Sequence, residues 1–186
     1  MYEEEKKRLR AEIRIRRADL SAERMDSASR RIQELVLGSA WYREAASVFT
    51  YVSMPGEPAT DRILRQALAD GKRVYVPRCR GGEMLAVRID DPGALRPGMM
   101  GIPEPQECRE TLSAEKLDLI LVPCVSASPD GRRLGHGGGY YDRFLRSGAE
   151  RAVCLCFADL ICQEIPVTEL DVRIPRVVTE HSEKPD

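Results

Sequence analysis

Aromatic residues are scarce in this chain: Phe, Trp and Tyr together make up only 5% of 186 residues. A nucleic-acid surface needs stacking rings and a basic footprint, and neither is present at the scale of the whole chain. No charge sign dominates, since 29 Lys and Arg oppose 30 Asp and Glu for a net charge of −1. Nothing global therefore draws the protein to nucleic acid or to an anionic membrane. No run of about 18 apolar residues occurs, so a membrane-spanning helix is not expected. The six cysteines (Cys79, Cys108, Cys124, Cys154, Cys156 and Cys162) form no C-x-x-C pair and no zinc spacing. The acidic opening Tyr2-Glu3-Glu4-Glu5 is unlike a secretory leader. Reduced thiols and a cytoplasmic location are the expectation, with Cys154 and Cys156 as small buried hydrophobes on one strand face.

What is present reads as one α/β domain spanning residues 1–186. A helix is expected over residues 4–19, with Leu9, Ile13 and Leu20 on one face. Ser21 caps a second helix that ends at Gly38, so residues 1–38 form a helical pair. The apolar pattern then shortens. Residues 46–52 read as a buried strand, a helix capped by Thr60 runs to Gly71, and Arg73–Pro77 is the next strand. That is the length of a parallel crossover unit. Met84–Ile89 reads as a short strand, residues 90–110 as an irregular loop, and residues 181–186 as a tail. Asp118–Pro123 is the clearest strand, a continuous apolar run suited to a two-sided sheet. A helix over 140–146 and strands at 152–157 and 176–179 complete a three-layer domain. Its largely parallel or mixed sheet is flanked by helices in a Rossmann-like topology.

One segment carries chemistry. Gly135, Gly137, Gly138 and Gly139 follow the Asp118–Pro123 strand and precede a helix, the position where backbone amides can cradle phosphate. Arg132 and Arg133 lie just upstream, and guanidinium forks suit phosphate oxygens. The loop fits neither G-x-x-x-x-G-K-[ST] nor G-x-G-x-x-G, so a flexible tight turn is the competing reading. Asp142, in the first turn of the helix, either caps it or holds Mg²⁺ beside phosphates. Lys6 and Arg10 share one face of the first helix, extended by Arg14 and Arg17. A solvated basic face is the simpler reading of those four residues alone.

The run Arg133-Leu134-Gly135-His136-Gly137-Gly138-Gly139-Tyr140-Tyr141-Asp142-Arg143-Phe144-Leu145 after Asp118–Pro123 resembles the signature of the 5-formyltetrahydrofolate cyclo-ligase family. Lys6–Arg10 with Arg16-Arg17, Tyr51–Glu57 and Gly71–Arg78 are similar to further parts of the same family. The likeness spans roughly residues 4–180.

The resemblance implies an ATP- and Mg²⁺-dependent closure of 5-formyltetrahydrofolate to 5,10-methenyltetrahydrofolate through a phosphorylated formyl group. It assigns ATP binding to Lys6, Arg10, Arg133, Leu134, Gly135, His136, Gly137, Gly138, Gly139, Tyr140 and Tyr141. Substrate binding falls to Met54, Glu57, His136 and Tyr140, and Mg²⁺ binding to Asp142, with no acid–base residue assigned. His136 stands at a variable family position. Pro175 occupies the place of a second metal ligand, which makes Asp171 the nearest substitute. Arg14 and Arg17 stay with the solvated reading. The implied partners are 5-formyltetrahydrofolate and ATP, with no nucleic acid and no membrane, on a monomer or weak homodimer. Two readings from other classes stay open: a non-catalytic folate- or nucleotide-binding module on the same scaffold, and a sugar-phosphate isomerase or acyl-transfer enzyme using Glu57.

Overall fold

A computed structural model describes residues 2–183, apart from the Met100 side chain; residues 184–186 of the expected tail lie outside the described residues. The chain opens with α1 (Tyr2–Ala18) and α2 (Ala22–Leu37). Ser21 caps α2 as expected, its Oγ accepting from the Arg24 N–H at 3.1 Å. The spacing of Ala28, Ile32, Leu35 and Val36 turns one stripe of α2 into the core. A short helix not legible in the sequence, α3 (Ala40–Glu44), follows with Ser39 as its cap.

Strand β1 (Ser47–Phe49), α4 (Asp61–Ala69) and β2 (Arg73–Arg80) make the expected parallel crossover. Thr60 does not cap α4: its hydroxyl donates to the Tyr51 carbonyl at 2.7 Å and ties down the loop after β1. Strand β3 (Glu83–Ile89) returns antiparallel to β2 through a tight turn at Gly81-Gly82. The region 90–110 is more structured than expected, because Arg96–Pro97 (β4) and Pro103–Glu104 (β5) pair antiparallel within it. Then come β6 (Thr111–Leu112), β7 (Leu119–Val122), the small ladder β8 (Ser126–Ala127) with β9 (Arg133–Leu134), α5 (Tyr140–Phe144), β10 (Ala152–Leu155) and β11 (Arg176–Val178).

The main sheet runs β11-β10-β7-β1-β2-β3-β6, parallel from β11 to β2 and antiparallel at β3 and β6. Numbered along the chain, the five parallel strands lie in the order 2-1-3-4-5, a doubly wound arrangement. Chain direction across the sheet reverses between β1 and β7, and ligands of open α/β sheets gather outside the strand ends at such a switch point. Asp118 secures the base of that junction. Its carboxylate accepts from the Ala46 N–H, the Ser47 N–H and the Ser47 hydroxyl at 3.1, 2.8 and 2.8 Å. Burial pushes the Asp118 pKa up, but these hydrogen bonds outweigh it and hold the group below its ordinary value.

The core is continuous from α1 and α2 through both central strands, and β7 and β10 are buried along their whole length. Among the described residues no helix is long and apolar enough to cross a membrane.

Candidate active site

Beyond the carboxyl ends of β1 and β7 lies a cleft of about 500 Å³. Its size and position are those of a small-molecule site. Helix α1 forms one wall with Lys6, Arg10 and Arg17, while Ile13, on the face between them, anchors the helix in the core. The loop after β1 supplies Met54 and Glu57, the β2–β3 hairpin Cys79 and Met84, and the β4–β5 segment Met99, Ile102 and Glu104. Thr168, Leu170 and Asp171 approach from the loop before β11. Every residue that the family resemblance assigns to the site lines this one cleft, whereas Arg132 is outside its lining and pairs with Asp130.

Glycines at 135 and 139 leave room for neighbouring guanidinium groups. A Cβ on Gly135 would stand 2.7 Å from Arg133 Nη1. Gly139, at φ +65°, supplies the left-handed turn into α5. Arg10 Nε donates to the Gly135 carbonyl at 2.8 Å, binding α1 to the loop.

Helix α5 is only five residues long, so the expected contribution of its dipole to an anion site is small. Loop amides and cations are the groups left to meet an anion there. Asp142 does not cap α5. Its carboxylate accepts from Arg133 Nη2 at 3.1 and 3.0 Å and from the Val172 N–H at 3.2 Å.

Arg133 is almost wholly buried, stands 5.6 Å from the Tyr141 ring centroid, and has an Nε with no partner. Tyr141 packs edge-on to Phe49, and burial, then the Glu57 charge, push its phenol far above the usual range, so it stays neutral. Leu134 belongs to the core, at 1% exposure; only its backbone can face a ligand.

Glu57 is held in place: Oε2 accepts from the Met54 N–H at 2.9 Å, and Oε1 lies 3.3 Å from His136 Nε2. Tyr140 lies under the Arg143 guanidinium, 5.0 Å from its ring centroid. Asp171 accepts from Lys6 at 2.7 and 2.6 Å and from the Thr168 N–H and hydroxyl at 2.6 and 2.9 Å.

Comparison with known proteins places this arrangement. The 5-formyltetrahydrofolate cyclo-ligase family matches residues 2–180. The chain belongs to that family. It is 33% identical to a probable 5-formyltetrahydrofolate cyclo-ligase of Caenorhabditis elegans, over 95% of this chain and 93% of the relative. It is 31% identical to the 5-formyltetrahydrofolate cyclo-ligase of Mus musculus, over 95% and 94% of the two chains. The fold matches the Aquifex aeolicus 5,10-methenyltetrahydrofolate synthetase with a TM-score of 0.85 at 28% identity, over 95% of this chain and 90% of that one.

The cleft is also lined by residues outside the expected set, Arg17 and Glu104 among them. Arg17, expected on the solvated face, lines the cleft with its side chain across Gly56, where a Cβ would stand 3.0 Å from its Cδ. Its spacing of seven residues from Arg10, two helical turns, was the available signal. Glu104 had no local signal at all, because only the β4–β5 pairing brings it to the site.

Among the described residues no group of three or more His, Cys, Asp or Glu side chains is arranged to hold a metal. The donor set nevertheless fits Mg²⁺, which usually takes one or two carboxylates and completes its shell with phosphates and water. Asp142 lines the cleft and would have to share its carboxylate between such an ion and Arg133. Asp171 is committed to Lys6 and Thr168, so serving as a second ligand would require it to exchange those partners.

Proposed function

We propose that this chain converts 5-formyltetrahydrofolate to 5,10-methenyltetrahydrofolate at the expense of ATP, with Mg²⁺ held at Asp142. The observation that carries this reading is the meeting, in one cleft, of a cation-lined glycine loop and a loop bearing the buried carboxylate Glu57. Family membership supports the cyclo-ligase chemistry; the phosphate-binding character of the loop supports the nucleotide.

A formamide oxygen is a poor leaving group. Lys6, Arg10 and Arg133 offset the charge of the triphosphate, and the amides from Gly135 to Gly139 hold its oxygens. Mg²⁺ would draw charge from the phosphate oxygens there. Met54, Glu57 and Tyr140 fix the folate so that its formyl oxygen faces the γ-phosphorus. That oxygen attacks phosphorus, the bond to the ADP oxygen breaks, and an imidoyl phosphate results. The lone pair on N10 then attacks the formyl carbon, phosphate departs with the C–O electron pair, and N10 releases its proton to water. Such chemistry asks for positioning and charge stabilisation, which accounts for a site built of glycines, cations and carboxylates.

The test is direct. Purified protein, MgATP and 5-formyltetrahydrofolate are mixed, and methenyltetrahydrofolate is followed by absorbance. ATP-dependent product, with one phosphate released per turnover, is expected. Folate and nucleotide binding without product at high protein concentration would leave a binding module instead.

A further inference from the structure

We infer that Glu104 is the residue that selects a 2-amino-4-oxo pyrimidine edge in this cleft, pairing its carboxylate with the ring N–H and the adjacent amino group of a pterin. The inference rests on the folate reading above and names the group that distinguishes the folate from the nucleotide.

Glu104 is 8% exposed and lines the cleft, yet among the described residues no donor reaches its carboxylate and no cation lies within 4 Å. Its cross-strand neighbour Arg96 points elsewhere, donating to the Gly93 and Leu95 carbonyls at 2.8 Å each. Arg143, on the same side of the cleft, donates to the Gly82 and Gly138 carbonyls at 2.8 and 2.9 Å. A carboxylate enclosed this far, open to the cleft and without a protein partner, is free to accept from a ligand that brings two donors.

The surroundings hold it there. A Cβ on Gly98 would stand 2.4 Å from the Glu104 Cδ, so only glycine at 98 leaves room for the side chain. Cys79 is close enough that, after burial itself, the Glu104 charge is the next cause raising its thiol pKa. With Met84, Met99 and Ile102 also lining this end of the cleft, the acid sits in an apolar slot suited to a flat ring.

The other cleft acids are already engaged. Glu57 accepts from Met54 and lies against His136, Asp142 pairs with Arg133, and Asp171 with Lys6. Two parallel donors on one ring edge match a carboxylate as a guanidinium does. Adenine presents one donor beside an acceptor on its pairing edge and matches poorly. Phosphates belong with the cations Lys6, Arg10 and Arg133 rather than with a carboxylate.

The experiment uses two ligands, 5-formyltetrahydrofolate and its analogue with hydrogen in place of the 2-amino group. Their binding by calorimetry is compared for the wild type, Glu104→Gln and Glu57→Gln, with MgADP affinity and melting temperature as controls. The wild type should prefer the amino compound by roughly 10- to 100-fold, the effect of a charge-assisted hydrogen bond. Glu104→Gln should lose that preference and keep MgADP binding, while Glu57→Gln retains the preference. Gly98→Ala, which displaces the carboxylate, should reproduce the Glu104→Gln result.

A preference that survives in Glu104→Gln, or disappears in Glu57→Gln alone, overturns the inference. Should the Glu104 variant melt early, the wild type still decides, since equal binding of the two ligands refutes it. A wild type that binds MgADP but neither pterin defeats the cyclo-ligase reading as well, which separates the two failures.

Discussion

Lys6 and Asp171, 165 residues apart in the chain, share a nearly buried ion pair at 2.7 and 2.6 Å. The contact fastens α1 to the loop before β11 and sets one cationic corner of the cleft. Burial raises the Asp171 pKa, but hydrogen bonds from Lys6 and Thr168 outweigh it and leave the group below its ordinary value of 3.8. A depressed folded pKa gives stability that is complete above the unfolded value and fades as pH falls through the folded one. Asp171→Asn should cost about 2–3 kcal/mol at neutral pH. In urea unfolding at a series of pH values, it should also flatten the loss of stability below pH 3.8. An unchanged acid limb would show that the pair contributes nothing.

Asp142 should matter to turnover far beyond its effect on folding. Asp142→Ala removes the carboxylate proposed to hold Mg²⁺ and leaves Arg133 buried without its partner. The expected outcome is a loss of kcat/KM on the order of 100-fold with a raised magnesium requirement. Arg14→Ala, on the exposed face of α1, serves as the comparison and should leave both unchanged. Steady-state rates across a magnesium titration distinguish them, and equal small effects would contradict the site.

Gly131 shapes the β8–β9 turn that delivers the glycine loop. It sits at φ +87°, and a Cβ there would lie 2.0 Å from the Ile174 carbonyl oxygen. Both the backbone and the space forbid a side chain. Gly131→Ala should cost about 2–4 kcal/mol, read from denaturant midpoints. Gly81 also has positive φ, at +58°, but nothing within 4 Å of its Cβ position. There alanine should cost only about 1 kcal/mol.

Tyr75 predicts an alkaline limit. Burial, then its hydrogen bond to Glu110, push the phenol up to about 12. A raised folded pKa means that stability is present below the ordinary value of 10 and is lost as pH climbs through about 12. Tyr75→Phe removes that titration. Thermal melts between those pH values should fall less steeply for the variant than for the wild type, and parallel curves would refute the assignment.

Much of this was legible residue by residue. Leu119–Val122 announced a two-sided strand by continuous apolarity, and Ser21 and Gly38 marked the ends of α2, because such signals act within a few residues. The glycine loop declared itself in the same way. Its support did not: Asp142 was read as a helix cap or metal ligand, and its contact with Arg133 shows only once the β8–β9 ladder has folded back. Thr60 misled for a related reason, since a cap signal cannot show that the Tyr51 carbonyl competes for the same hydroxyl. Met99, Ile102 and Glu104 lay in a segment read as irregular, for two-residue strands carry no period of their own.

Local chemistry thus settled the elements, the switch from helical to strand patterning, and the residue types of the glycine loop. Packing decided the rest: that β1 and β7 stand side by side, that α1 brings Lys6, Arg10 and Arg17 over the glycine loop, and that Glu104 faces the cleft with no partner among the described residues. Those relations join residues up to 165 positions apart. They follow from which apolar faces must be buried against one another, and no short stretch of chain encodes that.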